Sequence, residues 1–169
     1  MGSRSAAIAC VAAALVAGCG SEDRTVDDSD LPYSYSYPKG FGRAEDSPAC
    51  PRSSKGTAIA RGAGADLVCV QVQPLRKTVT PKLLPTVKRE LAQSVHTAGR
   101  VRSTHDITVG GIRGINFRID LKQRGTAAAA SWTYLPKGRR LYWINCQWQT
   151  EQAQVLKACQ TVLDTLRTR

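Results

Sequence analysis

Four stretches of this chain alternate apolar and other residues with a period of two, and that pattern limits the fold more than any other feature. Tyr33, Tyr35 and Tyr37 share one face of Tyr33-Ser-Tyr-Ser-Tyr37. Val68, Val70 and Val72 share another within Asp66–Gln73, with Cys69 on the reverse side. Ile115, Phe117, Ile119 and Leu121 face one side of Gly114–Lys122, while Asn116, Arg118, Asp120 and Lys122 face the other. Tyr142, Ile144, Cys146 and Trp148 line one side of Arg140–Trp148. Side chains of a strand point alternately to its two faces, so each stretch predicts a strand with one covered face. A short strand is expected at Thr57–Arg61, and further strands at Arg100–Val109 and Ala127–Leu135. The turns Gln123-Arg-Gly-Thr and Lys137-Gly138 would join the last three long strands into an antiparallel meander.

Two stretches carry the other period. Val87, Leu91 and Val95 recur every four residues, Pro85 suits a first helical turn, and Gly99 lies just beyond, which predicts a helix from Leu84 to His96. Val155, Cys159, Val162, Leu163 and Leu166 form one stripe along a second helix, Glu151–Arg167. The expected class is therefore α+β, a mostly antiparallel sheet covered by two or more helices.

The first residues set the compartment. Arg4 precedes an apolar run from Ala6 to Ala17, the charged and apolar regions of an export signal. The ending Val16-Ala17-Gly18-Cys19 resembles a bacterial lipobox. That resemblance implies cleavage between Gly18 and Cys19, diacylglycerol on the Cys19 thiol, and palmitate-type acylation that anchors the protein to the outer face of the cell membrane. Three regions follow: a lipoprotein signal at 1–18, Cys19 with an acidic tether at 19–31, and one domain at 32–169. No later stretch reaches the roughly 18 apolar residues that span a bilayer. The alternative, an ordinary secretory signal, leaves five of the six cysteines in an oxidising compartment. Lipidation leaves four: Cys50, Cys69, Cys146 and Cys159.

Those four allow three pairings, of which Cys50–Cys69 and Cys146–Cys159 are favoured. Cys146 lies on the apolar face of its strand and Cys159 on the apolar stripe of the helix expected to pack there. No close Cys or His pair suits a metal, and no cofactor motif is present.

Charge is uneven. Two of the 24 basic residues (Arg4, Arg24) and five of the 13 acidic ones precede residue 32, leaving 22 against 8 and a formal charge of +14 on the domain. Such a field attracts an anionic envelope polymer or lipid headgroups. A place outside the membrane argues against nucleic acid.

Several of these features occur together elsewhere: Tyr35-Ser-Tyr-Pro-Lys-Gly-Phe41, the middle helix, Gly110-Gly111-Ile112 opening a long strand, Cys146 on the final strand and Cys159 on the closing helix. In that combination the chain, over roughly residues 32–168, resembles actinobacterial lipoproteins of the PsbP-like sandwich type, including the LpqN-like group. The resemblance implies an α-β-α sandwich with a non-enzymatic envelope role, and it transfers no catalytic residue. Cys50 and Cys69 have no counterpart in that pattern.

The chain offers few reactive constellations. Ser103, His105 and Asp106 are the nearest approach to a hydrolase set, but no nucleophile elbow or oxyanion motif surrounds them. The tyrosines of Tyr33–Tyr37 could stack on a sugar or apolar ligand, or fill the core. Trp143 is expected opposite the inward-facing set, next to the basic turn Lys137, Arg139 and Arg140, and these four are the candidate ligand-binding residues. The reading is a lipid-anchored envelope lipoprotein whose domain binds an anionic component and catalyses nothing. Its rivals are a scaffold docking another exported protein and an unrecognised hydrolase.

Overall fold

The computed structural model describes residues 23–44, 47, 50, 56–62, 65–121 and 127–169. The export signal, Cys19 and the Gln123-Arg-Gly-Thr turn lie outside these residues. In chain order the elements are β1 (Arg24–Val26), β2 (Tyr33–Tyr37), β3 (Gly42–Ala44), β4 (Thr57–Ala60), β5 (Leu67–Val79), α1 (Leu84–Ala98), β6 (Gly99–Val109), β7 (Ile112–Leu121), β8 (Ala128–Trp148), α2 (Gln152–Thr165) and β9 (Arg167–Thr168). A six-stranded sheet runs β3-β4-β5-β8-β7-β6, and a smaller one runs β1-β2-β9. Every pairing between named strands is antiparallel.

β8 is a hairpin. Its first arm pairs with β7, from Leu121↔Ala128 to Ile115↔Tyr134, and its second pairs with β5, from Leu67↔Gln147 to Pro74↔Arg140. The arms fold back at Gly138, whose φ of +61° a side chain would oppose. Across the fold Trp132 Nε1 donates to Asn145 Oδ1 at 2.7 Å. The expected meander is therefore present.

Alternation assigns the two faces. On one, Val95 of α1, with Leu91 and Ala92, packs on Ile115, Phe117, Ile119, Ala130, Tyr134 and Leu141. On the other, Val155, Ala158, Cys159, Val162 and Leu166 meet Val68, Val70, Leu135, Tyr142, Ile144 and Cys146, together with the tyrosines of β2. The result is the expected sandwich: α1, the large sheet, then α2 beside the small sheet. Fully burying each large apolar side chain contributes about 1.5–3 kcal/mol. Disulfides Cys146–Cys159 and Cys50–Cys69 tie α2 to β8 and the residue-50 loop to β5. Each closes a loop worth about 3 kcal/mol in the chain-entropy picture.

Four boundaries differ from the sequence reading. Residues 24–31, read as tether, are in part folded: β1 pairs with β2 and Val26 is fully buried. A three-residue strand with one apolar anchor leaves no periodic trace. α2 stops at Thr165, not Arg167, because Leu166 turns extended (φ −59°, ψ 122°), buries its side chain and leads into β9. β5 runs on to Val79, past a register shift after Pro74. Gly99 follows α1 as expected, but it is extended at φ −179° and itself opens β6, one residue before the expected Arg100. A Cβ there would collide with the Asp120 carbonyl, so its role is close approach of two strands.

Candidate ligand cleft and basic end

α2 covers β8 and β5 but leaves the outer strands β7 and β6 open beneath its edge. The polar side of β7 thus lies under a helix instead of in open solvent. A cleft of about 460 Å³ results, floored by Ser103, His105, Ile107, Asn116, Arg118 and Ser131 and roofed by Leu156, Cys159, Gln160 and Leu163. That volume lies within the range of small-ligand sites.

The floor is ordered by hydrogen bonds. The Asn116 amide nitrogen donates to Ser131 Oγ (2.9 Å), Thr133 Oγ1 (2.8 Å) and the Trp132 carbonyl (3.3 Å). Thr133 is fully buried and Ser131 nearly so, so the amide is held in one orientation. His105 Nε2 and Ser103 Oγ share a hydrogen bond of 3.1 Å. The Arg118 guanidinium lies 5.7 Å from the centroid of Trp148, within cation–π range. Among the described residues no acidic side chain lines the cleft. In the adjoining hollow Arg118 meets Arg102 and Asp120, and Arg102 Nε donates to Asp120 at 2.6 Å. An anionic group entering the cleft meets one positive charge and several neutral hydrogen-bonding groups.

The roof is positioned by Asp66, whose role is invisible in sequence. Buried at the start of β5, its carboxylate accepts from the backbone N–H of Gln149 (2.9 Å), Thr150 (3.1 Å) and Glu151 (3.0 Å) and from Thr150 Oγ1 (2.8 Å). Glu151 makes no side-chain cap to α2, so Asp66 serves the helix N-terminus from another strand. Burial alone would raise its pKa, but the four hydrogen bonds prevail and hold it below the ordinary carboxylate value.

The sequence-chosen residues divide. Lys137, Arg139 and Arg140 are exposed at the β8 hairpin tip. Lys137 Nζ donates to Thr168 Oγ1 (2.8 Å) and Arg140 to the Arg169 carbonyl (2.7 Å), so both also hold the last strand. Trp143 does not stand beside them as a free aromatic. It stacks on Tyr134 (5.9 Å, 7°) and meets Trp132 edge-on (5.3 Å), and its indole N–H is buried without a partner among the described residues. Alternation put Trp143 on the right face; the sheet's other side is simply covered too. Tyr33, Tyr35 and Tyr37 are core residues, so they offer no stacking platform. Tyr33 Oη donates to the Val70 carbonyl (3.0 Å), and burial pushes its pKa up to about 12.

The hairpin tip has neighbours that sequence did not connect to it. Val79 of β5 pairs with Gly138 and Pro74 with Arg140, which brings Arg76 and Lys77 alongside. The candidate Ser103–His105–Asp106 set is not assembled. Ser103 and His105 share the cleft face, whereas Asp106 points to the α1 side and holds Lys88 at 2.5 Å. That lysine keeps the Asp106 carboxyl below its usual pKa.

No family model matches the sequence, and neither does any curated protein. The fold does have solved counterparts. Cyanobacterial PsbP (CyanoP) from Synechocystis sp. PCC 6803 superposes with a TM-score of 0.57 at 12% identity, over 90% of this chain and 96% of that one. LpqN of Mycobacterium tuberculosis, described as involved in cell envelope biogenesis, gives 0.57 at 13% identity over 88% and 91%. A Bacteroides thetaiotaomicron VPI-5482 protein gives 0.56 at 12% over 82% of this chain, which spans 45% of that longer one. At these identities the likeness speaks to architecture alone. The chain is an α+β protein with the PsbP-like sandwich fold.

Proposed function

We propose that this chain is a bacterial envelope lipoprotein, held on the extracytoplasmic face of the membrane through lipid on Cys19, whose domain binds an anionic envelope component and is not an enzyme. The observation that carries the binding reading is the α2 cleft: about 460 Å³, the Arg118 guanidinium, an ordered polar floor and, among the described residues, no acidic lining. The formal charge of +14 from residue 32 onward favours the same class of partner through the long-range field. Fold likeness to LpqN, itself involved in cell envelope biogenesis, is consistent with an envelope role. Asp106 pairs with Lys88 and not with His105, which supports the non-enzymatic reading.

Sedimentation of the exported chain with purified cell wall across a salt series tests the proposal. Binding that falls with ionic strength and is lost in Arg118→Ala supports it. Retention that ignores both salt and Arg118 refutes it and favours an apolar scaffold contact.

A further inference from the structure

A second surface lies at the end of the sheet where β5 outruns Gln73. Residues 74–83 and the hairpin tip 136–141 carry Arg76, Lys77, Lys82, Lys137, Arg139 and Arg140, and no acidic residue. All six are exposed, and the Val79↔Gly138 and Pro74↔Arg140 pairings make the two segments adjacent. Between β5 and α1 lies a groove of about 440 Å³ whose apolar lining is Leu75, Val79, Leu83 and Val87. Leu83, 41% exposed, is the sole exposed large apolar side chain among the described residues. Glu90 lies on the groove's rim, and Asp27 is paired with Arg169. A ring of cations around a projecting leucine matches the interfacial layer of a bilayer, where charges meet headgroups and the apolar tip enters the acyl boundary.

The folded start of the chain keeps the domain near any lipid on Cys19: β1 pairs Arg24 with Tyr37, four residues along β2 from Tyr33, which meets Thr168 beside Lys137. β1 begins at Arg24 and is pinned by Val26. Five residue steps separate Cys19 from Arg24, a contour of about 18 Å at most. A domain lipidated at Cys19 therefore sits close against the membrane and is not held off it. From these observations we infer that the basic end of the sheet, with Leu83 at its apolar tip, docks on an anionic bilayer surface. The inference rests on the lipoprotein reading for its setting, but its test does not.

The experiment uses the exported chain carrying Cys19→Ser, so that no lipid is attached, with vesicles of phosphatidylcholine alone or of phosphatidylcholine mixed with anionic phosphatidylglycerol. Sedimentation with the anionic vesicles alone, weakening as salt rises, is the expected result. Each cation removed from the face should lower the partition coefficient about fivefold, and Arg76→Ala with Lys77→Ala and Lys82→Ala together by about a hundredfold. Lys157→Ala, an exposed charge on α2 far from this end, should change it less than twofold by the same scale, while Leu83→Ser weakens binding and Leu83→Trp gives a blue-shifted emission on anionic vesicles. Equal binding to neutral vesicles, no binding at low salt, or wild-type binding by the triple and Leu83→Ser variants would overturn the inference. Because Arg118 is not on this face, the outcome is independent of whether the cleft takes a ligand.

Discussion

Asp66 is the residue on which the roof of the cleft depends, and replacing it tests the reasoning most sharply. Its carboxylate accepts three backbone N–H bonds of 2.9–3.1 Å and one hydroxyl at 2.8 Å, all from residues 149–151 that lead into α2. A side-chain cap is worth about 0.5–2 kcal/mol and a hydrogen bond to a charged group about 1.5–3. A buried carboxylate serving four donors should therefore exceed a simple cap, and Asp66→Ala should destabilise by about 3 kcal/mol. At this chain length that lowers Tm by about 9 °C. Asp66→Asn keeps the shape but halves the acceptors and removes the charge, so it should lose about half as much. The pH dependence supplies a second check. The folded pKa of Asp66 is depressed, so its stabilisation is full above the unfolded carboxylate value and is lost as pH falls through the folded one. Wild type should lose stability below about pH 4, and that part of the acid limb should be missing in Asp66→Asn. Denaturant melts from pH 7 to pH 2 with the disulfides intact make the comparison. A loss under 0.5 kcal/mol for Asp66→Ala, or identical acid limbs, would refute the account of how α2 is positioned.

Three further predictions concern the scaffold. Replacing Cys146 and Cys159 together by Ser should lower stability by about 3 kcal/mol and loosen α2 over the cleft, read by amide exchange along Gln152–Thr165. Tyr33→Phe removes the hydroxyl bonds to Val70 and Thr57, costing about 1 kcal/mol at neutral pH. Because the Tyr33 pKa is raised to about 12 in the fold, its stabilisation is full below pH 10 and declines towards pH 12. Tyr33→Phe should show a shallower alkaline loss, measured by melts over that window. Gln71 is 1% exposed and its side-chain nitrogen has no partner among the described residues. Gln71→Met should therefore stabilise by about 1 kcal/mol in thermal unfolding, and a loss of similar size would show that the amide makes a needed interaction.

The architecture was largely legible because each strand has one covered face, so alternation marks it, and the 3.6-residue stripe of α2 marks its partner. The Cys146–Cys159 pairing followed from the same two periodicities. What stayed hidden depends on contacts distant in the chain. The short strands at Arg24–Val26 and Arg167–Thr168 are held by β2 and carry no pattern of their own. Trp143 looks like a surface aromatic, and the β2 tyrosines fit either a ligand platform or the core, until both sheet faces prove to be covered. The cleft was unreadable for a related reason. Asn116 and Arg118 alternate outward like any solvent-facing residues, and only the placement of α2 puts a roof above them. Asp66, one acid among scattered acids in sequence, gains its role from donors more than 80 residues away.

The most direct measurement is the partition of the exported chain onto purified cell wall, wild type against Arg118→Ala, from low to high salt. The account predicts binding that falls steeply with salt and drops at least tenfold in Arg118→Ala while the fold, followed by the melting temperature, is unchanged (about the loss expected for one charge-assisted contact). Equal, salt-insensitive partition of the two proteins would contradict it and remove the cleft as the site of an anionic ligand.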